Sequence, residues 1–461
     1  MSDVASANTA SEGTEATLSE GLRERLRART PKSAAQNQRG AEVLAMEVVA
    51  TVDMPHPIYI EQASGARMTD IDGNSYIDLS MGFGPHVLGH RPAVIEEALA
   101  AQIKQGWHFG IHNPLQEPLA RLIQDAGGKT ERTIFCNSGT EATMYGMRAA
   151  RAFTGKNKIA LFDGSYHGTH DYALTKAEPA SDRSRPTAKT MGQGVPTLIK
   201  DDTMLVLPYR DATAFDLIRE HKDDLALVMI EPVQSSNPRL DSNEFLHELA
   251  RVCQQNDVLF LLDEVITGFR IAYGGCQEYY DLDADLVTYG KSIGGGLPIG
   301  ALSGRADIMA QFSGQRGRDD GVFSGGTFSG NPLTMAAGTA AINHLKEHAS
   351  DIYPYLMEQG NRFADAINTF CREHQIPAQV LNAGSMFHMR FQGGEIDSSR
   401  DLTTDNGAAE REFYLHLLGH GVIVPGIHLA FFSAAHTPED VDTVIEAFKQ
   451  SFLDVRADGL I

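Results

Sequence analysis

Between about residues 90 and 290 the chain alternates short, unbroken apolar runs with amphipathic stretches, and this feature constrains the fold most. The runs cover residues 133–136, 159–162, 204–207, 226–230, 258–262 and 286–289. Stretches with helical spacing, such as 142–153 and 243–256, lie between several of them. A strand that is apolar at every position is buried on both faces. Helical crossovers supply the cover, so the pattern predicts an α/β fold around a mostly parallel sheet. A sheet with one wet face would instead alternate apolar and polar residues.

The flanks read differently. Residues 57–79 largely alternate, with turns at Ser64-Gly65 and Asp72-Gly73, and predict a β-meander. Residues 18–29 have helical spacing, and Pro31 is expected to end that helix. Residues 1–17 are rich in Ala, Ser, Thr and Glu and read as disordered. Residues 173–203 read as a long irregular insertion. Beyond residue 335, helices are predicted over 335–348 and 353–373, and short strands near 379–381, 386–391 and 422–424. A last helix opens at Thr437-Pro438-Glu439-Asp440, with Thr437 as N-cap and Asp440 closing a capping box. The expected organisation is a flexible segment over 1–35, an N-terminal part of a small domain over 36–78, a large domain over 79–335, and a C-terminal small domain over 336–461.

Four pieces of the large domain carry chemistry. The 258–262 strand runs into Asp263 and Glu264, at the strand end where open α/β sheets bind ligands. The 286–289 strand runs into Gly290-Lys291 and then Gly294-Gly-Gly296. A lysine held there away from water loses its proton more readily and becomes an amine nucleophile. Asn137-Ser-Gly-Thr-Glu-Ala142 joins a strand to a helix N-terminus, where free N–H groups and the helix dipole attract an anion. Tyr166, in a tight turn after a strand, offers a flat face. Taken singly, each has a plainer reading: a loop acid, a surface lysine, an N-cap, a core tyrosine. Together, and in this order, they match the needs of pyridoxal phosphate: an amine for the aldehyde, an acid for the ring nitrogen, a phosphate cradle and a clamp for the ring.

The chain also resembles the class-III, fold-type-I pyridoxal-phosphate-dependent aminotransferases, over about residues 55–450. The resemblance rests on Asn137-Ser-Gly-Thr-Glu-Ala142, Tyr166-His-Gly168, Asp263-Glu-Val-Ile-Thr-Gly-Phe-Arg270, Tyr273-Gly-Gly275, Gly290-Lys-Ser-Ile-Gly-Gly-Gly-Leu-Pro298 and Gly326-Thr-Phe-Ser-Gly-Asn-Pro332. Within the family the pattern is most similar to the glutamate-1-semialdehyde aminomutase branch. The resemblance implies a large domain with a mostly parallel seven-stranded sheet and a smaller α+β domain. It implies Lys291 as the Schiff-base lysine and Asp263 as the acid beside the pyridine nitrogen, these two being the catalytic pair. Ser138, Gly139 and Thr140 would serve the phosphate, Tyr166 and Val265 the two ring faces, and His167 and Glu231 the cofactor's surroundings, with Gln234 near the ring hydroxyl. Thr327 would reach the phosphate of a neighbouring subunit, which implies a homodimer with a shared active site.

The aminomutase branch carries Gly-Gly-Val-Asn-Ser-Pro-Val-Arg upstream of the meander. An ungapped count places that stretch on Ala41-Glu-Val-Leu-Ala-Met-Glu-Val48, with neither the serine nor the arginine. Glu231-Pro-Val-Gln-Ser-Ser is similar to aminotransferase modules that act on aldehydes or on carrier-bound keto groups. These features predict a transaminase that moves an amino group, through a Lys291 aldimine and pyridoxamine phosphate, from an amine or amino acid to an apolar aldehyde or ketone, a carrier-bound one included. Residues 107–112 and 427–432 would supply apolar pocket surface or core packing. An intramolecular aminomutase or a racemase on the same scaffold is the alternative. A non-catalytic cofactor-binding protein is the third reading, and the presence of both Lys291 and Asp263 argues against it.

Composition narrows the partners. The formal charge of −21 over 461 residues argues against nucleic acid and anionic membrane surfaces. Four scattered cysteines show no metal-ligand spacing and predict reduced thiols in a cytoplasmic protein, with no metal.

Overall fold

The computed structural model describes residues 20–45, 55–313, 321–403, 406–426 and 429–461. The expected disorder of residues 1–17 lies outside them.

A seven-stranded sheet forms the centre. Its strands are β1 (Arg132–Cys136), β2 (Lys158–Phe162), β3 (Met204–Leu207), β4 (Leu225–Ile230), β5 (Leu259–Glu264), β6 (Leu286–Gly290) and β7 (Gly300–Gly304). Their order is β1-β7-β6-β5-β4-β2-β3. Only β7 runs antiparallel to its neighbours; the other pairs are parallel. Every residue of β4, β5 and β6 is buried. Val228, Ile230, Phe260 and Leu262 belong to one core cluster, and Leu227, Met229, Leu259 and Leu261 to another. Alternate residues therefore fill opposite faces, each large side chain contributing roughly 1.5–3 kcal/mol. The α/β expectation is met, and six strands match the apolar runs to within two residues.

Strand β7 carried no apolar run. Its sequence is Gly-Ala-Leu-Ser-Gly, and its ends are crowded. A Cβ at Gly300 would lie 2.0 Å from the Ser138 carbonyl oxygen, and one at Gly304 would lie 2.5 Å from Leu286 Cδ2. Close backbone approach selects small residues there and removes the β-branched signal.

A second sheet joins the two ends of the chain. Ile60–Ser64, Arg67–Asp70 and Ser75–Asp78 form the antiparallel meander. Val422–Ile423 adds a parallel strand to it. Gln379–Ala383, Met386–Arg390 and Ala430–Phe431 make a third sheet. The last helix, Pro438–Ala457, starts with the expected capping box between Thr437 and Asp440.

Two expectations need correction. Pro31 does not close the helical region. It sits in the first turn of a second helix, Pro31–Gly40, following the helix Glu20–Arg29; a proline there gives up an N–H that has no helical acceptor anyway. The 173–203 segment is more regular than its composition suggested. Thr175–Ala177 pairs with Ala188–Thr190 as a short hairpin, and Ile199–Thr203 forms a π-turn leading into β3. No described helix is long and apolar enough to cross a membrane.

Candidate active site

Parallel pairing of β5 with β6 places Asp263 beside Thr288. Lys291 follows directly at the end of β6, with a left-handed φ of 46°. The acid and the lysine thus meet at the carboxyl edge of the sheet, the edge where α/β proteins bind ligands. A cavity of ≈ 400 Å³ opens there, and both residues line it with Tyr166, His167, Glu231 and Val265.

Asp263 is buried and fully engaged. His167 Nδ1 stands 2.6 Å from Oδ2, while Thr288 Oγ1 at 2.9 Å and the Val265 N–H at 3.1 Å donate to Oδ1. Glu264 points to the opposite side of the strand. It accepts the Cys276 and Gln277 N–H groups at 2.8 and 3.0 Å and the Thr267 hydroxyl at 2.9 Å. Of the two strand-end acids, only Asp263 faces the cavity.

The Lys291 amine donates to the Phe83 carbonyl at 2.6 Å. Burial, reinforced by the nearby Arg270 cation, pushes it down to about 8, while Asp263 and Glu231 pull the other way. Glu231 is 4% exposed and accepts the Tyr166 N–H at 2.9 Å. Burial pushes its carboxyl up to about 7.

The helix Gly139–Thr154 begins at the cavity wall. Ser138 is its N-cap and accepts the Glu141 N–H at 3.2 Å. Glu141 reaches back to the Asn137 N–H at 2.5 Å. Gly139 and Thr140 line the cavity with first-turn N–H groups that have no helical acceptor. A Cβ at Gly139 would come within 2.8 Å of Val265 Cγ1, and one at Gly168 within 2.6 Å of Thr140 Oγ1. Close packing of the cavity wall therefore selects glycine at both positions.

Tyr166 is half-exposed and lines the cavity opposite the sheet edge. Ser138 sits just behind the lining. Gln234 is fully buried, and its amide donates to the Asp163 carbonyl and to Ser165 Oγ rather than entering the cavity. Thr327 is exposed, on a turn packed near Asn137 through Ser329, and does not line the cavity. Trp107, Phe109 and Ile111 are exposed. Phe431 and Phe432 are core residues, and residues 427–428 lie outside the described chain. Residue reading missed Thr288 and the Phe83 carbonyl. Thr288 could have been found only from strand register, and a backbone acceptor leaves no side-chain signal.

The residues present fit pyridoxal phosphate. A helix start with open N–H groups and glycines suits a phosphate, and Asp263 offers a fixed anion. His167 Nε2, buried and without a partner among the described residues, completes a polar floor. Among the described residues no His, Cys, Asp or Glu cluster suits a metal.

The class-III aminotransferase family matches residues 48–452. A glutamate-1-semialdehyde 2,1-aminomutase from Archaeoglobus fulgidus is 38% identical, over 86% of this chain and 93% of that protein. The protein of the same name from Methanosarcina acetivorans is 36% identical over 86% of this chain and 92% of its own. Among solved structures, an omega-transaminase from Sphaerobacter thermophilus is 30% identical, with a TM-score of 0.86 over 92% of this chain and 98% of that one.

The aminomutase relatives overturn the expectation of a transaminase with separate donor and acceptor. The cofactor-binding residues are common to both reactions, so they could not decide between them. The transaminase expectation came from an arginine missing from residues 41–48, of which 46–48 lie outside the described residues, and from the Glu231-Pro-Val-Gln-Ser-Ser turn. Matched over residues 48–452, the chain belongs to the class-III aminotransferase family and uses that family's pyridoxal phosphate cofactor.

Proposed function

We propose that this protein is an intramolecular aminomutase of the glutamate-1-semialdehyde type. It would move the amino group of a small amino aldehyde from carbon 2 to carbon 1 while the carbonyl moves the other way. The observation that carries this reading is the set of curated relatives, 36–38% identical over most of the chain, that bear the aminomutase name.

Bound pyridoxal phosphate supplies an aldehyde for amines and a ring that withdraws electrons from the neighbouring carbon. The chain's residues do the rest. Lys291, its amine pushed down to about 8 by burial, would supply the amine for that aldehyde and, when free of it, the base that moves a proton between carbons. Asp263, oriented by His167 and Thr288, would keep the ring nitrogen protonated. The start of the helix Gly139–Thr154, with Ser138, Gly139 and Thr140, holds the phosphate. Val265 and Tyr166, which both line the cavity, would cover the ring and exclude water. Glu231, which lines the cavity and whose carboxyl burial pushes up to about 7, would exchange a proton there. We further place Thr327 at the phosphate of a second copy, in a homodimer. Four buried, unpaired cysteines support a reducing compartment, the cytoplasm.

The test is incubation of the purified holoprotein with glutamate 1-semialdehyde alone, the amino nitrogen carrying ¹⁵N. Formation of 5-amino-4-oxopentanoate that keeps the label, with no added donor or keto acid, is the expected result. Product only on addition of a separate donor and acceptor would refute the proposal.

A further inference from the structure

Four consecutive residues beside Lys291 have left-handed backbone: Met81, Gly82, Phe83 and Gly84, with φ of 43°, 64°, 66° and 107°. Met81 and Phe83 adopt this region against the preference of any residue with a Cβ, so outside contacts must hold the turn. At its start, the Asp78 carboxylate accepts the N–H groups of Ser80 and Met81 at 2.7 and 3.1 Å. At its end, Arg270 donates from Nη2 to the Gly84 carbonyl at 2.5 Å. The same guanidinium donates from Nη1 to the Phe432 carbonyl at 3.3 Å and to Ser385 Oγ at 3.5 Å, and lies over the Phe431 ring at 4.8 Å.

Arg270 is 1% exposed. Its partners are carbonyls, a hydroxyl and a ring. No carboxylate pairs with it among the described residues, and its Nε has no partner. An unpaired buried cation is costly, so its position calls for a reason. The turn it clasps presents the Phe83 carbonyl to the Lys291 amine at 2.6 Å. Gly84 sits so close that a Cβ there would lie 3.5 Å from Lys291 Cδ and 3.1 Å from Phe431 Cζ.

We propose that Arg270 is a positioning residue for Lys291: its guanidinium fixes the turn that carries the Phe83 carbonyl against the Lys291 amine and sets a buried cation beside that amine. The inference rests on Lys291 being the reactive amine and is independent of the substrate. The other charged groups acting on the amine are Asp263 and Glu231, and both favour its protonation. His86, which packs against Gly82 and Gly296, is pushed down to about 4 by burial and adds no positive charge. Arg270 is the fixed cation that opposes the two acids.

The experiment is competitive acetylation of the full, cofactor-stripped chain with acetic anhydride across pH, reading the Lys291 peptide against exposed Lys104 by mass spectrometry. Wild type is expected to titrate at Lys291 about two units below an ordinary lysine. Arg270→Gln is expected to raise the midpoint by about one unit, leaving about tenfold less neutral amine at pH 7. Arg270→Lys, which loses the planar fork and, buried without a carboxylate, gives up its own proton more readily, is expected to follow Arg270→Gln. A wild-type midpoint equal to that of Lys104 overturns the proposal even if Arg270→Gln fails to fold. An unshifted Arg270→Gln overturns it, and so does an Arg270→Lys midpoint that stays at the wild-type value. Borohydride reduction of the holoprotein tests the underlying reading separately: an adduct on a lysine other than 291 refutes the assignment of the site, whatever the titration shows.

Discussion

His167 Nδ1 lies 2.6 Å from Asp263 Oδ2, and neither side chain is more than 5% exposed. With Thr288 on the other oxygen, the carboxylate has one orientation. If Asp263 neutralises a ring nitrogen, an amide in its place keeps the shape and removes the charge. Asp263→Asn is therefore expected to bind cofactor but to lose about 10²–10³-fold in kcat. His167→Asn, which leaves the acid in place with one contact fewer, is expected to lose about tenfold. Steady-state rates, with cofactor content measured on the same samples, check both. Equal losses in the two variants would assign the work to His167 itself.

Gly139 is a steric prediction. The Cβ of an alanine there would meet Val265 Cγ1 at 2.8 Å and Cγ2 at 3.0 Å. Val265 opens the turn directly after β5, two residues beyond Asp263. Gly139→Ala is expected to cost about 1–3 kcal/mol by overpacking and to push Val265 into the cavity. Thermal unfolding with and without added pyridoxal phosphate measures this. The added stability from cofactor should shrink, because the cradle and the ring contact are disturbed together.

Glu231 gives a pH dependence with a definite sign. Its carboxyl is pushed up to about 7 by burial, from an ordinary 4.5. Between those two values the folded chain holds a proton that the unfolded chain has lost, so stability falls as pH rises through the window and levels off above pH 7. Glu231→Gln mimics the protonated form and can still accept the Tyr166 N–H. Compared with the variant, wild type is expected to lose on the order of 3 kcal/mol between pH 4.5 and pH 7. Denaturant unfolding of both chains at half-unit intervals checks the trend. A constant gap across that range would show that Glu231 is ionised throughout.

The strands of the central sheet were legible because each is buried on both faces, which leaves an unbroken apolar run. Gly300–Gly304 was not, since its contacts with Ser138 and Leu286 demand small residues. Asp263 and Lys291 were legible from their position at strand ends. The partition between Asp263 and Glu264 was not, because it depends on which face of the strand each occupies. Thr288 became visible only through the register of β6 against β5. The Phe83 carbonyl and the Arg270 clasp depend on a left-handed turn whose Met81 and Phe83 carry no side-chain mark of that conformation. The reaction type was misjudged because the cofactor-binding residues are the same for transfer between molecules and within one.

Thr327 leads to a prediction about assembly. It is exposed and stands outside the cavity of its own chain, between Phe323 at 73% exposure and Phe328 at 59%. His108 packs its ring 5.0 Å from that of Phe328, and Trp107 and Ile111 beside it are also exposed. An apolar patch of this kind marks a protein interface. A twofold dimer formed through it would bring the Thr327 of each copy to the site of the other. Two crippled chains then complement each other. Lys291→Ala removes the amine from its own site, and Thr327→Val weakens only the neighbour's site. A hybrid of the two holds one site with wild-type Lys291 and wild-type Thr327. Mixing the variants after mild dissociation is expected to restore about a quarter of wild-type activity, since half of randomly formed dimers are hybrids with one good site in two. Activity of the mixture no greater than the mean of the separate variants would place Thr327 outside the partner's site.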